Sequence, residues 1–156
     1  PKDSSVMVVH VGPAMSPQME KRALIESERN FRYQWVGEQS YSVTRQIIYE
    51  SHLLVLSSRS EGGANVICES ISDSTPILAS RIPGSIGILG EDYPGYFPTG
   101  DTKELSRLIS LTETDQAFIQ KLQGYCQRLK KLVSPEAEKI AWKDLLEEVN
   151  PPTITS

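Results

Sequence analysis

Apolar and polar positions along the chain alternate between two rhythms. Short apolar runs recur at residues 5–11, 31–36, 52–58, 76–80 and 96–97, and each reads as a β-strand. Between them the spacing lengthens to that of a helix. Residues 17–29 place Met19, Ala23, Leu24 and Ser27 on one face, and residues 42–51 carry Val43, Ile47 and Ile48. Strand then helix, repeated, is the pattern of an α/β protein with a doubly wound parallel sheet. The run at 52–58 is almost unbroken, as expected of a parallel strand buried on both faces. Residues 53–56 are therefore expected near the centre of the sheet. After residue 80 the rhythm breaks. Residues 81–95 hold Pro83-Gly84, Gly87, Gly90 and Pro94-Gly95, too much punctuation for one long element. A loop after a strand's carboxyl end either lines a site or is a plain crossover. Three helices close the chain: 101–110 capped by Asp101, 114–132, and one opened by Ser134-Pro135-Glu136. In the last, Ile140, Trp142, Leu145, Leu146 and Val149 can pack inward or against another domain. Pro151-Pro152 ends the order, so 1–150 reads as one domain and 151–156 as a disordered tail.

The central strand runs into Arg59-Ser60-Glu61-Gly62-Gly63-Ala64-Asn65-Val66-Ile67-Cys68-Glu69. Two glycines can take φ > 0 and let another molecule approach the backbone closely. Asn65 is a good helix cap, and 66–74 reads as a helix with Val66, Ile67, Ser70 and Ile71 on one face. Strand, glycine turn and helix N-terminus is where an open α/β sheet binds ligands, and such a helix end favours phosphate. The N–H groups of Gly63, Ala64 and Asn65 can hold that phosphate. Glu61 and Glu69 flank the turn and can accept hydrogen bonds from sugar hydroxyls. By spacing alone, the same residues serve equally well as a plain strand–helix connection in which Glu69 only complements the helix dipole.

Composition narrows the classes. The 156 residues are 38% hydrophobic and 23% charged, ordinary for a globular protein with a real core. A net charge of −4 offers no nucleic-acid surface. No apolar run can span a bilayer and no signal peptide is visible, so a cytoplasmic protein is expected. Cys68 and Cys126 lack metal spacing and read as reduced thiols. His10 and His52 stand alone and read as structural residues at strand ends. Neither a metal nor a cofactor is expected. A dinucleotide-binding dehydrogenase is disfavoured because no G-x-G-x-x-G follows a first strand.

Glu61 and Glu69, with seven residues between them and followed by Thr75-Pro76-Ile77-Leu78-Ala79-Ser80, resemble the E-x7-E signature of the group 1 retaining glycosyltransferases. The likeness continues through residues 6–13, 33–37 and 97–101, and so covers nearly the whole chain in order. The wording Glu-Gly-Gly-Ala-Asn, with Ala-Ser-Arg-Ile-Pro-Gly-Ser and Asp-Tyr-Pro-Gly-Tyr-Phe-Pro, resembles a narrower bacterial subfamily similar to selenosugar synthases. The resemblance implies a Rossmann-like half of a GT-B fold, the donor-binding domain, truncated at its N-terminus. It implies a nucleotide-diphosphate sugar as ligand and a missing acceptor domain of the same protein as partner. It carries over Glu69 to the ribose hydroxyls and Glu61, the catalytic candidate, to the donor sugar. Gly62, Gly63, Ala64 and Asn65 go to the sugar and diphosphate, and Val36, Gly37 and Glu38 to the base. GT-B enzymes generally transfer the sugar without a bound metal. The sequence departs from the family at three places. Gly63 replaces a bulky residue, Ala64 a frequent glycine, and Ser74 the glycine that commonly ends the helix. The family's Arg and Lys that grip the diphosphate lie on an earlier strand–helix unit, and nothing before Val6 supplies them. The fragment alone is expected to be inactive. The competing reading is a non-catalytic nucleotide- or partner-binding Rossmann-like domain.

Overall fold

The computed structural model describes residues 4–60 and 65–149, apart from the side chain of Pro135. Among the described residues, strands and helices alternate as far as β5 and three helices then follow: β1 (Val8–Val11), α1 (Pro17–Arg29), β2 (Tyr33–Gly37), α2 (Tyr41–Glu50), β3 (Leu54–Leu56), α3 (Asn65–Asp73), β4 (Ile77–Ser80), α4 (Pro83–Leu89), β5 (Tyr96–Phe97), α5 (Thr102–Thr114), α6 (Gln116–Leu129) and α7 (Pro135–Val149). Every strand pair is parallel, so the helical crossovers that parallel pairing demands are all present. The expected α/β class is the observed one. The hydrogen bonds form two sheets, β1-β2 and β3-β4-β5.

That grouping moves the centre. β3 was expected in the middle, buried on both faces. It is instead an edge of its sheet, with Leu54 and Leu56 half-buried and Val55 38% exposed. The middle belongs to β4, whose four residues are all buried. Leu54 is in register with Ile77 and Leu56 with Ala79, and Ala79 pairs onward with Tyr96. The core gathers around β4: Ile67 and Ile71 from α3, Ile77 and Leu78 from β4, Leu122 and Cys126 from α6, each fully buried. Each large aliphatic side chain so buried contributes about 1.5–3 kcal/mol.

Local chemistry explains the helix ends. Ser16 accepts from the Met19 N–H, with Pro17 in the first turn, and Ser40 accepts from Val43. Asp101 accepts from Lys103 and Glu104, and Asp115 from Ala117 and Phe118. The Asp115 cap divides α5 from α6, so α5 continues four residues past its expected end. The stretch 81–95 holds a short helix where the glycine pattern predicted none. Pro83 starts α4 with its fixed φ, and Gly90, at φ 84°, stops it. Beyond it, the buried Tyr93 hydroxyl donates to the Ile77 carbonyl at 2.6 Å and accepts from the Ile77 N–H at 3.2 Å. It thereby takes the place of a strand partner at the start of β4. Gly95 has no room for a side chain: a Cβ there would stand 2.7 Å from Tyr93 and against the Ile77 carbonyl.

Two expected faces are differently used. α1 has no buried residue, and Met19 and Leu24 are about half exposed, at 53% and 51%. Ala23, Ile25 and Ser27 are half-buried, and the Ser27 hydroxyl accepts from the Trp35 N–H at 3.0 Å. On α7 the five apolar side chains from Ile140 to Val149 are all exposed. His10 lies within β1 rather than at its end, 2.6 Å from the Tyr33 hydroxyl. Cys68 and Cys126 are free thiols; burial pushes Cys126 up to about 11. The proposed tail, 151–156, lies outside the described residues.

Candidate functional site

Parallel pairing points the carboxyl ends of β3, β4 and β5 the same way, so the segments leaving them open on one edge of that sheet. At the exit of β3 the chain is fixed by Ser80. Its fully buried hydroxyl lies 2.6 Å from the Ser58 carbonyl and 3.1 Å from that of Leu56, and its single proton serves both. The chain thus leaves β3 in a set direction just before the glycine turn. Glu61, Gly62, Gly63 and Ala64 lie outside the described residues. Asn65, expected as the cap, is the first residue of α3 and is exposed. Asn65 is already helical, one residue before the helix its side-chain pattern suggested.

α3 turns Ile67, Ser70 and Ile71 into the core, with Val66 half-buried beside them. This leaves Glu69 on the flank. Glu69 is half-buried and makes no hydrogen bond or ion pair with the described residues. Burial raises its carboxyl above the ordinary 4.5, with Asp73 pushing the same way and Arg45 opposing. Arg45 stands on α2 and pairs with Asp73: its Nη2 donates to Oδ1 at 2.9 Å, while Nη1 lies 2.8 Å from Oδ2 without hydrogen-bond geometry. Asp73 is one turn beyond Glu69, on the same face of α3.

Helix α3 ends unusually. Ser74 has φ 60°, the left-handed conformation that favours glycine. The Thr75 N–H reaches back to the Ser70 carbonyl at 2.9 Å and the Ser74 N–H to Ile71 at 3.0 Å, a Schellman ending made with serine. The glycine-type turn is therefore kept and the steric cost, about 1–2 kcal/mol, is borne. The Ser70 hydroxyl and the Cys126 thiol both reach the Thr75 carbonyl, and the Thr75 hydroxyl lies at 3.5 Å from the Ile48 carbonyl of α2.

The expected base turn lies at the end of β2. Val36 and Gly37 are half-buried and Glu38 is exposed. Gly37 has φ 66°, and its carbonyl accepts from the Gly12 N–H at 2.8 Å. The Trp35 indole donates to the Gly12 carbonyl at 3.0 Å. These bonds tie the exits of β1 and β2 together and hold the turn open with a glycine at its corner. Two cavities, of about 380 and 300 Å³, lie along α5 and contain none of these residues. Among the described residues, no three His, Cys, Asp or Glu side chains gather as metal ligands do. Sequence reasoning missed Ser80 and the Arg45–Asp73 pair. A serine closing a wholly apolar strand marks the first; nothing in the spacing marks a pair drawn from two helices.

A parallel α/β domain with its open turns at the strands' carboxyl ends is a Rossmann-like half of the GT-B architecture, and solved structures agree. The HepE protein of Anabaena (Alr3699), crystallised with UDP and glucose, superposes with a TM-score of 0.74 at 18% identity, over 94% of this chain and 40% of its own. Sucrose-phosphate synthase from Thermosynechococcus elongatus gives 0.72 at 20% identity, over 90% and 38%. A glycosyltransferase from Rickettsia africae gives 0.73 at 15%, over 97% and 42%. The family model for group 1 glycosyl transferases matches residues 2–131. The chain belongs to that family. It spans about 40% of the length of the first of these structures.

Proposed function

We propose that this chain is the donor-binding domain of a retaining glycosyltransferase that moves a hexosyl group from a nucleotide-sugar to an acceptor. One observation carries the reading: Glu69 keeps a half-buried carboxylate without a hydrogen bond or ion pair to any described residue, on the helix that follows the glycine turn. A carboxylate left unpaired at a cost in burial is suited to accept two ribose hydroxyls. UDP in a structural neighbour supports the ligand class. In this reading the N–H groups of Gly62, Gly63, Ala64 and Asn65 hold the diphosphate and sugar, and the turn at Val36, Gly37 and Glu38 takes the base. Glu61 and Glu69 form the E-x7-E signature, and Glu61 holds a sugar hydroxyl rather than attacking the anomeric carbon. As the sugar develops oxocarbenium character, backbone N–H groups and the α3 N-terminus stabilise the leaving diphosphate. The acceptor domain is a separate part of the same polypeptide, the domain spans 1–150, and this half alone does not transfer sugar. The subfamily similar to bacterial selenosugar synthases, acting in the cytoplasm, is the finer assignment.

The test is a panel of nucleotide-sugars with the complete polypeptide, the anomer of the product read by NMR. Retention with one donor, and none with the chain alone, is the expected result. Inversion, or saturable binding of no nucleoside diphosphate, overturns the reading.

A further inference from the structure

The Arg45–Asp73 pair has no role in the donor contacts above, yet it joins the two helices that frame them. α2 follows directly from the base turn, with Gly37, Glu38 and Gln39 leading to its Ser40 cap. α3 carries Glu69. Arg45 sits in the second turn of α2 and reaches Asp73, the last residue of α3, with two contacts at 2.9 and 2.8 Å. The side chains are 26% and 13% exposed, so the pair is well removed from water and resists screening. The Nη2 hydrogen bond to Oδ1 is charge-assisted and directional, and the second contact, Nη1 to Oδ2, is an ion pair without hydrogen-bond geometry. At the same ends of the helices, the Thr75 hydroxyl approaches the Ile48 carbonyl.

We infer that Arg45 is a positioning residue for Glu69: by clamping Asp73 it fixes α3 against α2, so that the ribose-binding carboxylate and the base turn keep one spacing. This rests on the donor-site reading of Glu69. Glu69 and Asp73 are one helical turn apart on one face, so the guanidinium that holds Asp73 is near enough for its charge to be felt at Glu69. Its charge favours the ionised form of Glu69 against burial and the Asp73 charge. The guanidinium's hydrogen bond goes to Asp73, and Glu69 makes none with a described residue, which leaves its oxygens open to hydroxyls.

A double-mutant cycle on the complete protein tests this, with UDP as the probe and a thermal melt on every sample. Arg45→Met should weaken UDP about tenfold in the parent, consistent with coupling between neighbours. In a Glu69→Gln background, the same change should alter affinity by less than about twofold, because the group it positions is gone. Where Arg45→Met fails to fold, Arg45→Met with Asp73→Leu removes both charges and packs apolar groups instead; it should behave the same way. An equal loss in both backgrounds overturns the inference, since Arg45 would then act on the ligand itself. A lower melting temperature with unchanged UDP affinity overturns it as well, leaving a purely structural pair. Failure of Glu69→Gln alone to weaken UDP instead sinks the donor-site reading, a separate result.

Discussion

β1 and β4 are both short apolar strands in parallel pairs, and they live in opposite surroundings. β4 reads Ile-Leu-Ala-Ser and is buried at every position. β1 reads Val-Val-His-Val and is exposed at three of its four, with Val8 43% and Val9 45% accessible. The difference lies in what packs on them. β4 has a strand on each side and α6 against it, and shares one core cluster with α3. β1 pairs with β2 alone, and the helix between them, α1, buries no residue. One half of the molecule supplies the stability, while the other presents turns. The candidate site draws on both: Glu69 stands on the stable half, and the base turn ends β2 of the lighter one.

The comparison breaks first on stability. Leu122→Ala, in α6 against β4, should cost about 2–5 kcal/mol, as large-to-small changes in a packed core do. Leu24→Ala on α1 should stay within about 0.5 kcal/mol. Denaturant melts of both variants check this, and equal losses would erase the distinction between the halves. Gly95→Ala should follow at about 1–3 kcal/mol, the usual penalty of overpacking, because the added methyl meets the Ile77 carbonyl and the Tyr93 ring, both fixed. Ser74→Gly acts in the other direction. It relieves a left-handed serine but adds unfolded-state freedom, so a net gain of about 0.5–1 kcal/mol is expected by thermal melt. A loss would mean that the serine side chain stabilises the turn.

Much of this was legible beforehand, and what failed did so for definite reasons. The strand–helix order and α1 at residues 17–29 followed from periodicity, and the Asp101 cap from local hydrogen-bonding chemistry. The order of strands did not, because an apolar run says that a strand is buried but not which neighbour buries it. Hence residues 53–56 were placed at the centre that β4 occupies. α4 was hidden by its own glycines: a seven-residue helix gains too little by itself, and the packing of Leu89 holds it. The corner at Gly37 could be read directly, since glycine is the residue type suited to its φ of 66°. Arg45 and Asp73, 28 residues apart, meet only because α2 and α3 pack, so no local pattern announces them.

Acid sharpens the view of Glu69. Folding raises its pKa, so whatever stability this group contributes is present at low pH and lost as pH rises through the folded pKa. Ligand binding runs the opposite way, because only the ionised form accepts two hydroxyl protons. UDP affinity should therefore fall on acidification at a pH above that of an ordinary glutamate, and Glu69→Gln should abolish that part of the pH dependence.

The most direct measurement is calorimetric titration of UDP into Glu69→Gln beside the parent, with a thermal melt of each at neutral pH. The amide keeps the shape but loses charge-assisted hydrogen bonds worth about 1.5–3 kcal/mol each, in part recovered through its oxygen. Binding weaker by about tenfold or more, with a melting temperature that does not fall, is the predicted result. Unchanged affinity with a melt lowered by several degrees, about 1 kcal/mol or more, would show that Glu69 serves the helix and not the nucleotide.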